Sequence, residues 1–147
     1  MEYLNKKHES QMVIEEVNTI NNRLAELSGR NTIDQHAYVR MKERGLTKEE
    51  VYVVFKNYKV IEFQMLRDGM KLDMRVLIMG RIKIRGRNLF LSISLITGRI
   101  YTVWADYEKE PNLENYNENL NIRSMIKWYK PTYRGHKRRD RRQRYRY

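Results

Sequence analysis

The sequence predicts an α+β protein, with N-terminal helices packed on an antiparallel sheet of about four strands. Three observations carry this. Apolar residues recur every three or four positions as far as Phe55, then give way to runs rich in Val, Ile, Leu, Phe, Tyr and Thr. Asp68-Gly69 and Thr97-Gly98 stand as hairpin turns between neighbouring runs. Helices followed by strands, not alternating with them, is the order of an α+β arrangement.

Glu9 to Leu27 reads as an amphipathic helix through Val13, Val17, Ile20, Leu24 and Leu27, with Gly29 at the place of a C-terminal cap. A second helix opens at Thr32 or Asp34, both good N-caps, carries Ile33, Ala37, Val39 and Met41, and closes at Gly45. Thr47-Lys48-Glu49-Glu50 is a capping box that announces a short third helix through Val51, Val54 and Phe55.

The strand-like runs are Lys59 to Leu66, Lys71 to Met79, Asn88 to Ile96 and Ile100 to Ala105, with Arg85-Gly86-Arg87 as a third, looser turn. Leu89, Leu91, Ile93 and Leu95 alternate with Phe90, Ser92, Ser94 and Ile96, which places this strand centrally. The expected organisation is a helical segment 1–30, an α+β domain 31–107, a polar linker 108–131 and a tail 132–147. Within the linker, Ile122, Met125, Ile126, Trp128 and Tyr129 form a docking turn that Pro131 stops.

Composition limits the function classes. The chain has 147 residues, 41% hydrophobic and 33% charged, enough for one modest core. Without cysteine there can be no disulfide, thiolate metal site or cysteine nucleophile. No apolar run approaches the ~18 residues of a membrane span, and the start is polar, so the expected location is the cytoplasm. No His or carboxylate cluster has metal-ligand spacing, there is no glycine-rich phosphate loop, and no cofactor is expected. The net charge of +12 is the footprint of a polyanion partner.

That charge is uneven. Lys127 to Tyr147 holds ten basic residues and Asp140, leaving only +3 for Met1–Ile126. Arg134, Lys137, Arg138, Arg139, Arg141, Arg142, Arg144 and Arg146 interleave with Tyr133, Tyr145 and Tyr147. Arginine grips phosphate bidentately and stacks on bases, and tyrosine offers a stacking platform. The tail cannot form a core and is expected to stay disordered until it meets a partner. Trp128, Tyr129 and Tyr133 are further candidates for base contact. RNA is the first expected partner and DNA the second, including a ribosome or another nucleic-acid machine. An anionic membrane is disfavoured for lack of apolar anchors. A second basic enrichment runs from Arg67 to Arg99.

The stretch best suited to chemistry is His36-Ala37-Tyr38-Val39-Arg40-Met41-Lys42-Glu43-Arg44-Gly45. On a helix, His36, Arg40 and Arg44 form one polar stripe. A histidine in the first turn meets a dipole that favours its neutral ring, as a general base beside a phosphate-bearing substrate requires. By spacing alone, such a stripe is more often a solvated face.

This stretch resembles the signature of a bacterial and phage domain family of unknown function. The signature is His-Ala-x-x-Arg-Met-x-x-Arg-Gly followed by a Thr/Ser-x-x-Glu cap, matched here by His36-Ala37, Arg40-Met41, Arg44-Gly45 and Thr47 to Glu50. The resemblance continues through Arg75-Val76-Leu77-Ile78-Met79-Gly80 and the closing hairpin Thr97 to Trp104, about half the chain. It implies the fold of the barnase, EndoU, colicin and RelE-like ribonucleases. It also implies metal-independent RNA cleavage, in which a base takes the 2′-hydroxyl proton and an acid protonates the 5′-oxygen.

By the same resemblance, His36 is the acid or base and Arg40 a phosphate clamp. Arg44 clamps as well, or pairs with Glu43 or Glu49. Arg75 and Thr102 or Tyr101 bind the phosphate from the sheet. The matched region holds no second histidine, so an Arg, Lys or Tyr supplies the other proton transfer or catalysis is lost. The expected function is therefore a nucleic-acid-associated protein on a ribonuclease-like scaffold. It is either a toxin-like endoribonuclease or a silent RNA- or DNA-binding accessory of a phage or mobile element. A structural protein that neutralises packaged nucleic acid is a third class.

Overall fold

The computed structural model describes residues 1–132, so the tail expected over 132–147 lies, apart from Thr132, outside the described residues. Strand β1 (Glu2–His8) comes first, then helices α1 (Ile14–Glu26), α2 (Gln35–Glu43) and α3 (Lys48–Val53). Strands β2 (Tyr58–Asp68), β3 (Lys71–Gly80), β4 (Asn88–Ser94) and β5 (Ile100–Asp106) follow, and helix α4 (Ile122–Trp128) closes the described chain. The five strands lie in the order β1-β2-β3-β4-β5, every neighbouring pair antiparallel. The architecture is thus α+β, with one strand more than the pattern predicts.

The extra strand corrects the reading of residues 1–30 as purely helical. Glu2–His8 is mostly exposed and lacks a clean apolar alternation, so no local signal marks it; it forms because β2 supplies the hydrogen bonds, from Glu2 opposite Arg67 to His8 opposite Glu62. The first long helix also starts later than Glu9. Residues Glu9–Gln11 make a separate 3-10 turn capped by His8, whose Nδ1 accepts from the Ser10 N–H at 3.1 Å. Val13, counted on the apolar face, is the exposed N-cap of α1, whereas Ile20, Leu24 and Leu27 are buried.

One face of the sheet and the helices share the main core. Phe63, Met65, Met74, Val76, Ile78, Leu89, Leu91 and Ile93 meet Ile20, Leu24, Met41 and Val51, and α4 adds Ile122 and Ile126. Burial of this apolar surface is the principal stabilising term. On the opposite face Leu77, Met79 and Phe90 form a smaller cluster in which Phe90 and Trp104 stack at 5.4 Å. Strand β4, interior as expected, is therefore buried on both faces.

Two polar devices lock β1 and α4 to this core. The buried Lys7 Nζ donates to both carboxylate oxygens of Glu16, at 2.8 and 3.0 Å, and to the Leu120 carbonyl at 3.1 Å. The buried Arg23 donates to the carbonyls of Leu95 and Ile126. Ions this deep persist because close acceptors offset their loss of water.

The turns follow their residues. Arg85-Gly86 is a tight two-residue connection, not a loose one: both φ angles are positive, 50° and 81°, and Ile84 and Arg87 exchange backbone hydrogen bonds at 2.7 and 3.0 Å. That backbone matches the twist of the flanking ribbon. Gly98 (φ +80°) lies so close to helix α1's exit that a Cβ would stand 3.2 Å from the Arg30 carbonyl.

Candidate nucleic-acid interface

Asp34 caps α2 as expected: its Oδ2 accepts from the His36 N–H at 3.1 Å. The His36 imidazole then projects into solvent, its side chain 95% exposed, with Nδ1 3.5 Å from the same oxygen. Asp34 Oδ1 takes Arg99 Nε at 3.1 Å and Nη2 at 3.0 Å. Burial alone would raise the Asp34 carboxyl, but the hydrogen bonds from Arg99 and His36 outweigh it and hold the group below its ordinary value.

One turn further, Arg40 is exposed and makes no ion pair among the described residues. Arg44 departs from the expected stripe. Its Nη1 donates to the Val103 carbonyl at 2.8 Å, so it fastens α2 to the β5 edge and pairs with neither Glu43 nor Glu49. Ala37 and Met41 pack beneath it, while Val39 is exposed.

Arg75 is not available to a phosphate. It is 5% exposed, its Nε donates to Asp73 Oδ2 at 2.8 Å, and its Nη1 meets Met1 Sδ at 3.1 Å. Its guanidinium stacks on Tyr101, 3.7 Å from the ring centroid. Asp73 also accepts from the Ser94 hydroxyl at 2.9 Å. Burial, reinforced by Asp73, raises the Tyr101 phenol. Thr102 is exposed, opposite Ser92 on the helix-free face of the sheet. Among the described residues no hydrogen bond or ion pair joins His36 or Arg40 to Arg75 or Thr102. The four residues expected at one centre thus divide into an exposed helix pair, an enclosed arginine and a strand threonine.

A feature that the residue-by-residue reading left unassigned lies between β3 and β4. Arg81, Lys83, Arg85 and Arg87 are four exposed cations in seven residues of a hairpin that has no acid. The alternating Arg-x-Lys-x-Arg-Gly-Arg run around a turn dipeptide is its sequence signal. Arg85 pins the tip to the α2–α3 connection, donating to Glu50 Oε2 at 3.0 Å and to the Gly45 carbonyl at 3.1 Å. Glu50 is itself oriented by the Thr47 capping box. The hairpin tip is therefore held against the end of α2, the helix that carries the exposed Arg40 and Lys42. Lys42 and Lys48 both stand over the Tyr38 ring, 4.8 and 5.0 Å from its centroid.

Trp128 is largely exposed and Tyr129 packs at the margin of the core. Arg134, Lys137, Arg138, Arg139, Arg141, Arg142, Arg144, Tyr145 and Arg146 lie outside the described residues, as does Tyr133. Among the described residues no group of three or more His, Asp or Glu side chains is arranged to hold a metal ion, and no helix is long and apolar enough to cross a membrane. Comparison of the chain with protein-family models, curated proteins and solved structures gives no match.

Proposed function

We propose that the protein binds nucleic acid, RNA foremost, over the surface made by α2 and the 81–87 hairpin. The observation that supports this best is the attachment of the hairpin to the end of α2 through Arg85, which holds a hairpin of exposed cations against the helix that carries Arg40 and Lys42. Fixed cations facing a phosphodiester chain release its condensed counterions, which gives affinity that falls steeply with salt. The arginine–tyrosine sequence beyond residue 132 adds charge of the same kind. Helices laid on an antiparallel sheet are compatible with a ribonuclease-like scaffold.

One observation favours a second reading, metal-independent RNA cleavage. The His36 imidazole is open to solvent and held near a carboxylate that can fix its tautomer. There it would take the 2′-hydroxyl proton, or protonate the leaving oxygen, with Arg40 one turn away to neutralise phosphate charge.

A single experiment separates these readings. Labelled RNA and single-stranded DNA are incubated with the protein in EDTA, and binding is followed across salt concentrations for wild type, His36→Ala, Arg40→Ala and the triple Arg81→Gln/Lys83→Gln/Arg87→Gln variant. Binding is expected in wild type, with the salt slope shallower by up to about three in the triple variant. An unchanged slope removes the hairpin from the interface. Cleavage lost in His36→Ala selects the enzyme; retention without cleavage selects the binder.

A further inference from the structure

Beside the start of α2, Thr32, Gln35, Tyr38, Lys48, Tyr52 and Arg99 line a surface cleft of about 390 Å³. No carboxylate lines it, and its two cations differ in kind. Arg99 is held along one edge by Asp34, so its guanidinium is fixed in place while its Nη1 has no partner among the described residues. Lys48 makes no ion pair there and lies over Tyr38. Tyr52 is 41% exposed, and its hydroxyl donates to the Asn31 carbonyl at 3.0 Å, which fixes the ring as a wall of the cleft.

An oriented guanidinium, an ammonium without an ion pair among the described residues and two aromatic rings in one cleft suit a ligand that is anionic at one end and flat and aromatic at the other. We propose that the cleft holds one nucleotide of a single-stranded RNA, its base against Tyr52 and its phosphate on Arg99 and Lys48. This inference rests on the nucleic-acid reading above and adds to it a subsite for a single unit of the chain. The volume falls within the range of small-molecule pockets. Base–aromatic stacking tolerates any base, so the subsite contributes affinity and register and carries little sequence preference. The hairpin and α2 then supply the electrostatic track on which neighbouring phosphates lie.

The test is an amide chemical-shift titration of the full chain with uridine 5′-monophosphate, uridine, inorganic phosphate and O-phosphotyrosine. The nucleotide is expected to saturate, with shifts centred on Gln35, Lys48, Tyr52 and Arg99, and to bind about tenfold more tightly than uridine or phosphate alone. Tyr52→Leu should weaken it about tenfold by loss of stacking, Tyr52→Phe by less than about twofold, and Lys48→Gln about threefold. Inorganic phosphate binding as tightly as the nucleotide would reduce the cleft to an anion site, and tighter binding of phosphotyrosine would give it to a phosphopeptide. Either overturns the proposal, as do shifts that bypass these residues. A labelled RNA 12-mer separates the two levels. If it binds wild type and Tyr52→Leu equally, the subsite fails and the nucleic-acid reading stands; if it does not bind wild type, that reading fails and the subsite with it.

Discussion

Arg75 and Tyr101 form a stacked pair, guanidinium to ring centroid 3.7 Å, on the face of the sheet that the helices leave bare. With Asp73 on its other edge, Arg75 acts as a fold element. Replacing it by Met leaves the largely buried Asp73 without its counterion and is expected to destabilise the protein by roughly 3 kcal/mol, read from urea denaturation. RNA affinity of the folded variant should stay within about twofold of wild type. Lost affinity at an unchanged urea midpoint would return Arg75 to the interface.

Lys7→Met breaks the buried pair with Glu16 from one side. Two N–H donors, of Val13 and Ile122, remain to the carboxylate, but no cation does. The expected loss is roughly 3–5 kcal/mol. Lys7→Met/Glu16→Gln, which removes both charges, should recover part of it. A double variant no more stable than the single one would show that packing of the lysine stem, and not charge, is what matters.

His8 gives stability an acid limb. Burial lowers its pKa below 6.5, assisted by Lys59 and opposed by Glu62 and Glu9, and the ring meets Tyr116 edge-on at 5.5 Å. A histidine depressed in the fold favours the neutral ring. Its contribution is therefore complete above the unfolded value and declines as pH falls through the folded one. The thermal midpoint of wild type should drop between pH 7 and pH 5 more than that of His8→Gln. Parallel curves for the two proteins would discard this assignment.

Gly86→Ala places a side chain at φ +81°. The left-handed backbone costs an L-residue roughly 1 kcal/mol, so the hairpin should open locally before the rest of the molecule. Faster amide exchange at Ile84 and Arg87, with the β2–β3 amides unaffected, is the expected signature. Uniform acceleration across the sheet would mean that the hairpin is coupled to the global unfolding unit.

Deletion of residues 134–147 should flatten the salt dependence of RNA binding, because eight of the chain's thirty Lys and Arg side chains lie in that segment. Identical slopes for full-length and shortened chains would assign the affinity to the body alone.

Local chemistry made most of this fold readable from the sequence. Thr47 to Glu50 states its own cap, Asp34 announces α2, and Gly69 and Gly98 bend the chain at the two predicted hairpins, the first one residue later than expected, through Gly69-Met70 with Asp68 still paired to Lys71. Strand β1 was not readable because its reason for being a strand lies in residues 62–67, and Arg44 looked free because its acceptor, the Val103 carbonyl, is 59 positions away. Arg75 is the instructive case. Asp73 is two residues earlier on the same strand face, so the pairing was available to a period-two reading; treating the arginine as part of a motif concealed it.

The lock between Lys7, Glu16 and Leu120 has a kinetic consequence. Residues 2–8 cannot join the sheet before residues 62–67 are in hand, and their ammonium group gains its third acceptor only when residue 120 arrives. A nascent chain would hold this segment idle until the rim of β2 is made, and an unpaired strand rim is adhesive. Until these seven residues dock that rim stays open, so the segment acts as a latch on assembly.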